Sequence, residues 1–195
     1  MTELASSTGH RLSGSDRRSL FGMLLGVFLG SLEAAIANTS LPTIARDLHA
    51  EPAASVWVIN AYQLAVVATL LPFAALGDRL GARRVFLAGV AFFTASSLVC
   101  ALAPNLPVLV AGRALQGIGA GALMSVNIAL IRLIYPPERL GRGVGLNALV
   151  VGIGFVLGPS IASLVLAASS WPWLFGLNAP LGLVALAFAS PSLPR

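Results

Sequence analysis

The feature that most limits the possible folds of this chain is its division into apolar runs of about 20 residues, separated by short clusters of charge. A run of that length crosses the hydrocarbon core of a bilayer as an α-helix. Only 10% of the 195 residues are charged, whereas a soluble domain carries about 25%. The alternating pattern typical of outer-membrane strands is absent. The sequence therefore predicts an all-α membrane protein that crosses the bilayer several times.

Six spans are predicted from the positions at which proline or charge interrupts the apolar runs. They extend from about Leu20 to Leu41, Val56 to Leu76, Val85 to Ala103, Pro107 to Ile134, Gly143 to Ala168 and Trp173 to Ala189. Because proline lacks a backbone donor, we expect the first span to end at Pro42 and the sixth to end before Pro191. The predicted organisation is a tail (1–18), a six-helix bundle (19–190) and a short end (191–195).

The arginines predict the orientation of this bundle. All twelve basic residues are arginine, and ten fall in the tail, two alternate loops and the end: Arg11, Arg17, Arg18, Arg79, Arg83, Arg84, Arg132, Arg139, Arg142 and Arg195. The loops on the other side hold only Arg46. The positive-inside rule then places both termini in the cytoplasm, and we expect the chain in the cell inner or plasma membrane. Positive loops explain the net charge of +5 without a nucleic-acid partner.

Two ionisable residues lie inside predicted spans. Glu33 is in the middle of the first span, where a charge costs about 2.5–3.5 kcal/mol on insertion scales. It is a candidate proton or cation site, or a neutral acid hydrogen-bonded between helices. Arg113, in the fourth span, does not deprotonate in proteins. It is a candidate for tuning Glu33 or supporting a proton path, or it reaches the outer interface along its own aliphatic stem.

Uncharged amides also recur inside the spans, and each needs a hydrogen-bond partner in lipid. The candidates for lining a cavity are Asn38, Asn60, Gln63, Gln116 and Asn127, with Asn147 and Asn178 as further amides. Interhelical hydrogen bonds of about 0.6 kcal/mol each account for most of them.

Glycines four residues apart on the first, fourth and fifth spans predict close helix packing. Pro159, directly after Gly158, predicts a bend.

Enzymatic chemistry is not indicated. Cys100 is the only cysteine, which excludes a disulfide within the chain and offers no metal cluster. The two histidines, His10 and His49, lie in the tail and in an outer loop, away from any serine that they could activate. No phosphate-cradling loop occurs, so neither an enzyme nor a cofactor or metal is predicted.

Several stretches together resemble the major facilitator superfamily, specifically its drug–proton antiporters of the fourteen-helix type. They are Gly77–Arg84 between the second and third spans, Arg113–Ala120, Gly154–Pro159, Leu32–Pro42, Trp171–Phe175 and Asn178–Gly182. The eight residues Gly77–Arg84 are expected to form a turn kept tight by Gly77 and Gly81. Two departures stand out, since the first-helix acid of that family is usually Asp rather than Glu33, and Ala162 and Ser163 replace a glycine pair. The chain resembles an amino-terminal half alone.

The resemblance implies a bundle of two inverted three-helix repeats that faces a second bundle of six to eight helices across a central cavity. It implies proton-driven efflux of drugs or other small molecules, with the proton gradient as the energy source. Glu33 would carry the proton and Arg113 would modulate it. Gly77, Asp78, Arg79, Gly81, Arg83 and Arg84 would form a cytoplasmic gate. Gly154, Gly158 and Pro159 would form the antiporter motif of the fifth helix.

Two alternatives remain open at the level of the sequence. The chain is a truncated, non-transporting fragment or a half-transporter that needs a partner bundle, or it has the same fold and exports a metabolite or amino acid. The gate residues are alternatively a topology anchor only.

Overall fold

The computed structural model describes residues 14–193, and this part of the chain is almost entirely helical. Its elements are α1 (Gly14–Asp47), α2 (Pro52–Ser55), α3 (Trp57–Leu80), α4 (Ala82–Ala101), α5 (Leu106–Ile134), a 3-10 turn (Pro137–Arg139), α6 (Leu140–Ala168), α7 (Pro172–Gly176) and α8 (Asn178–Ser192). The predictions for Arg11, His10 and Arg195 lie outside the described residues.

Six helical segments of the described region are long and apolar enough to cross a membrane. The first span is α1, the second is α2 with α3, the third is α4, the fourth is α5, the fifth is α6, and the sixth is α7 with α8. The predicted number of spans and the all-α membrane class are therefore confirmed.

Two predicted helix ends were wrong. The first span continues through Pro42 to Asp47, and the sixth continues through Pro191 to Ser192. A proline inside a helix removes one backbone hydrogen bond, while the roughly four unpaired carbonyl groups of a helix end are present wherever the helix ends. The continued first helix places Ile44 in the buried core, and burial of this side chain offsets the lost hydrogen bond.

The junction between the second and third spans is also tighter than predicted. The second span remains helical to Leu80 and the third begins at Ala82, so Gly81 alone separates them. Gly81 has φ 92°, a value that glycine adopts without steric cost and other residues rarely adopt. Gly77 lies inside the helix, where it is buried against Val126. One glycine, rather than an eight-residue turn, reverses the chain.

The packing of the spans follows an internal repeat. The fourth span packs against the second and third, the first packs against the fifth and sixth, and the third packs against the sixth. Exchanging spans one to three with spans four to six leaves this set of neighbours unchanged, as two related three-helix units require. The central helices are the first and fourth, whose apolar windows are 72% and 61% buried, against 17% for the second and fifth.

Glycines make the central contacts possible. On the fourth span, a Cβ atom added to Gly117 would lie 2.4 Å from the carbonyl oxygen of Tyr62 on the second span. On the fifth span, a Cβ atom added to Gly158 would lie 2.3 Å from the Cβ atom of Ala35 on the first. Larger residues at these positions would hold the spans apart. The side chains that the spans direct toward the centre of the bundle would then be displaced.

Candidate functional site

A buried ion pair lies where the first and fourth spans meet. Arg113 Nη1 is 2.6 Å from Glu33 Oε1, and both residues are fully buried. The sequence left open whether Arg113 extends to the outer interface or reaches Glu33, and the structure has it paired with Glu33. Breaking a buried pair by removing one partner is strongly destabilising, because it leaves an uncompensated charge.

Arg113 is held by four further groups. Its Nε donates to the carbonyl oxygen of Val58 at 3.0 Å, and its Nη1 also donates to Gln116 Oε1 at 2.6 Å. Its guanidinium carbon lies 4.3 Å from the centre of the Tyr62 ring and 5.6 Å from that of Phe175. A cation this close to an aromatic face is stabilised by the ring quadrupole. The guanidinium is therefore fixed from the second, fourth and sixth spans as well as by Glu33.

Gln116 extends the network to the third span. Its Nε2 donates to Ser97 Oγ at 2.8 Å, and Ser97 Oγ in turn donates to the carbonyl oxygen of Phe93 at 2.8 Å. The thiol of Cys100 contacts Gln116 Oε1 at 3.8 Å. Cys100 is a free, buried cysteine. Gln116 was a cavity candidate in the sequence, but its side chain is enclosed in this network.

Asn178, from the sixth span, completes the site. Its Nδ2 donates to Glu33 Oε2, the carboxylate oxygen that Arg113 does not contact. Asn178 is 1% exposed. The sequence marked it as one amide among several and assigned it no role. Its signals in the sequence were a polar residue in an apolar span and its place at the start of Asn178–Gly182, one of the stretches that resemble the superfamily.

The junction Gly77–Arg84 joins the second and third spans at one end of the bundle. Asp78, Arg79 and Arg84 are exposed. Arg83 is half-buried, and its Nη2 donates to the carbonyl oxygen of Ser190 near the end of the sixth span. The junction is thus tied to the sixth span, and its acid and two of its arginines face outward.

The fifth-span motif packs beside the ion pair. Gly154 lies against Ser31 and Gly158 against Ala35, so their contacts bracket Glu33 on the first span. Ala162, which replaces a glycine, is buried, and Pro159 is exposed. The close approach of the fifth span therefore depends on Gly154 and Gly158.

The remaining cavity candidates differ in solvent exposure. Asn38, Asn60 and Gln63 are exposed, and Asn38 Nδ2 donates within its own helix to the carbonyl oxygen of Ala34 at 2.9 Å. Asn127 is buried, and its Nδ2 donates to Asn147 Oδ1 at 2.7 Å. Within residues 14–193, no cluster of three or more His, Cys, Asp or Glu side chains is placed to hold a metal ion.

The model of the Major Facilitator Superfamily matches residues 23–195, which include every residue of the buried network. The chain belongs to this superfamily. Its membership confirms the expected fold class and places the chain with membrane transporters rather than with enzymes.

Individual relatives are similar over most of the chain. The chain is 51% identical to the uncharacterized transporter YebQ of Escherichia coli over 90% of its own length, and 36% identical to the riboflavin transporter RibZ of Clostridioides difficile over 88%. It is 34% identical to multidrug resistance protein 3 of Bacillus subtilis over 87%. The chain spans only 38%, 38% and 33% of these relatives' lengths.

One fold can serve many functions, so the function of this chain is inferred from its buried site. Here one carboxylate is held by a permanent cation on one oxygen and a neutral amide on the other. The two donors come from the fourth and sixth spans, so the negative charge of Glu33 is stabilised from both of these spans.

Proposed function

We propose that the chain forms one half of a membrane transporter that exports small molecules in exchange for protons. The observation that carries this proposal is the fully buried Glu33–Arg113 pair at the centre of the bundle. An ionisable pair is expensive to keep inside a membrane protein, and such residues mark ion or proton pathways. In this proposal Glu33 carries the proton, Arg113 modulates it, and the proton gradient is the energy source.

The proposed mechanism is alternating access between this bundle and a second one. The second and fifth spans are the least buried, so they offer the faces against which a partner bundle of six to eight helices would move. Asp78 and Arg79, exposed at one end of the bundle, would act in the gate, and Arg83 would pass its movement to the sixth span through Ser190. Small-molecule cargo would bind between the two bundles.

The names of the relatives support two classes of cargo. Multidrug resistance protein 3 and the tetracenomycin C resistance and export protein of Streptomyces glaucescens are 34% and 33% identical to the chain, which favours export of drug-like organic molecules. The riboflavin transporter RibZ, at 36% identity, favours a metabolite as the alternative cargo. The proposed location is the inner or plasma membrane, with the arginine-rich loops in the cytoplasm.

The test is proton-driven export by vesicles that contain the chain together with its second bundle. We expect Glu33→Gln to abolish export driven by an imposed pH gradient and to retain exchange of cargo between the two sides, because a neutral amide carries no proton. Glu51→Gln, at an exposed acid in the loop after the first span, is the control and should export normally. Unchanged proton-driven export by Glu33→Gln would remove Glu33 from the mechanism.

The same assay separates a half-transporter from a non-transporting fragment. Export by the chain only in the presence of the second bundle supports the proposed division into two halves. Export by the chain alone, accompanied by cross-linked dimers, indicates a half-transporter that pairs with itself. A lack of export in both preparations, despite correct insertion, indicates a fragment that does not transport.

A further inference from the structure

The two oxygens of Glu33 have chemically different partners. Oε1 accepts from Arg113 Nη1 at 2.6 Å, and Oε2 accepts from Asn178 Nδ2. Arginine has only donors and keeps its proton. A proton on Oε1 could not be donated to Arg113, and it would weaken the attraction between this oxygen and the permanent cation. Asparagine carries a donor and an acceptor on one planar group, so Oε2 is the oxygen that can accept a proton without losing its partner.

We propose that Asn178 is a positioning residue for proton exchange at Glu33 and serves both protonation states. While Glu33 is charged, Nδ2 of Asn178 donates to Oε2. When a hydronium ion transfers a proton to Oε2, one of its O–H bonds breaks and water is left. The amide of Asn178 then turns by half a rotation, its N–H···O hydrogen bond breaks, and the new O–H of Glu33 donates to Oδ1 of Asn178. The O–H bond formed on Glu33 and the O–H bond broken in hydronium are the only covalent changes. This inference deepens the proposed proton coupling and rests on it.

The sixth span contacts both partners of the ion pair, which gives this exchange a mechanical consequence. Phe175 lies over the Arg113 guanidinium, and Asn178, three residues later, contacts Glu33. Residues three apart share one face of a helix, and Leu177 between them keeps helical backbone angles. Pro180, in the first turn of α8, lacks a backbone donor and therefore removes one helical hydrogen bond beside the site. A movement of the sixth span would shift the Asn178 and Phe175 contacts together.

Three other ionisable side chains surround Glu33. Arg113 comes from the fourth span, Tyr62 from the second and Cys100 from the third. The fifth span has no ionisable side chain between Gly143 and Ala168, and the described part of the sixth span has none. Asn178 is therefore the neutral group through which the sixth span can influence the proton on Glu33.

The test is infrared difference spectroscopy of the purified chain in lipid vesicles during a pH titration. The carboxyl band of protonated Glu33 is assigned by its loss in Glu33→Gln. In Asn178→Leu we expect this band to move to the higher frequency of a carboxyl group without a hydrogen bond. We also expect Glu33 to bind its proton about tenfold more tightly, because a donor to a charged group is worth more than an acceptor for a neutral one.

Asn147→Leu is the matched control, since it removes an amide that bonds another amide, Asn127, between two spans. It should leave the frequency and midpoint of the Glu33 band unchanged. An unaltered band in Asn178→Leu would overturn the proposal. If Asn178→Leu does not fold, the side-chain amide resonances of Asn178 in the unmutated chain give a second measurement. They should change at the pH at which the Glu33 band appears, and an amide that does not respond would also overturn the proposal.

This measurement does not require transport, so its outcome is separate from that of the export assay. If Asn178→Leu shifts the Glu33 band but Glu33→Gln still shows normal proton-driven export, the proposed function is contradicted and the hydrogen-bond exchange stands. If Asn178→Leu leaves the Glu33 band unaltered but Glu33→Gln fails to export, only the role of Asn178 is contradicted.

Discussion

Arg113 keeps its positive charge inside the bundle, so its burial is tolerable only while its partners surround it. Glu33 supplies the opposite charge, Val58 and Gln116 accept hydrogen bonds, and Tyr62 covers one face of the guanidinium. A buried pair adds little net stability over an apolar replacement, whereas half of a pair is costly. The pair therefore contributes little to stability compared with apolar residues, which is what we expect of residues kept for a function.

We expect Arg113→Gln to lower the free energy of unfolding by about 3–5 kcal/mol, because it leaves Glu33 buried without a compensating charge. The double variant Glu33→Gln with Arg113→Gln should recover most of that loss, because two amides can bond to each other. Unfolding of the purified chains, followed by circular dichroism, measures the difference. A double variant that is less stable than Arg113→Gln would show that the two charges are not a coupled pair.

At the scale of elements, small residues determine how closely the spans approach. Gly154 and Gly158 place the fifth span against Ser31 and Ala35, on either side of Glu33. The four-residue spacing of these glycines could be read from the sequence. Which helix they contact could not, since small residues permit close packing on any neighbour.

We expect Gly158→Ala to destabilise the bundle by about 1–3 kcal/mol, since the added methyl group would overlap Ala35 in a well-packed contact. Gly152→Ala is the matched control on the same helix, because a Cβ atom there meets nothing within 4 Å. Alanine also favours a helix over glycine, so the control should be as stable as the parent or slightly more so. Thermal unfolding of both variants measures this, and equal losses would show that Gly158 is not a packing position.

At the scale of the whole molecule, charge and exposure are distributed unevenly. In the described region Arg17, Arg18, Arg79, Arg83, Arg84, Arg132, Arg139 and Arg142 lie at helix ends or loops of the predicted cytoplasmic side, against Arg46 on the other. The second and fifth spans leave the most surface uncovered. Both properties follow from the topology rather than from any single residue.

We expect Gly141→Cys to react with a membrane-impermeant thiol reagent only from the cytoplasmic side, and Ala53→Cys only from the opposite side. Both positions are exposed and lie in the first turn of a helix, α6 for Gly141 and α2 for Ala53, at opposite ends of the bundle. The natural Cys100 is buried and should remain unlabelled in the folded chain. Intact cells and inverted vesicles provide the two sides, and a reversed pattern would contradict the orientation predicted from the arginines.

The sequence by itself determined the class of protein, the number of spans, the arginine-rich side and the motifs of the superfamily, because span length, charge and backbone hydrogen bonding are local properties. It did not determine that the first span passes through Pro42, or that Gly81 alone reverses the chain. The path through Pro42 depends on the tertiary contacts that bury Ile44, and the reversal at Gly81 depends on a backbone conformation that other residues rarely adopt.

Only the tertiary structure decided which polar side chains meet. Glu33 and Arg113 are 80 residues apart in the chain, and Glu33 and Asn178 are 145 apart. Both contacts depend on the rotation and depth of each helix, and these are set by glycine contacts between spans. Each span shows in its sequence that it has a polar group to satisfy. Its partner is determined only when six helices pack together, because lipid offers no alternative partner.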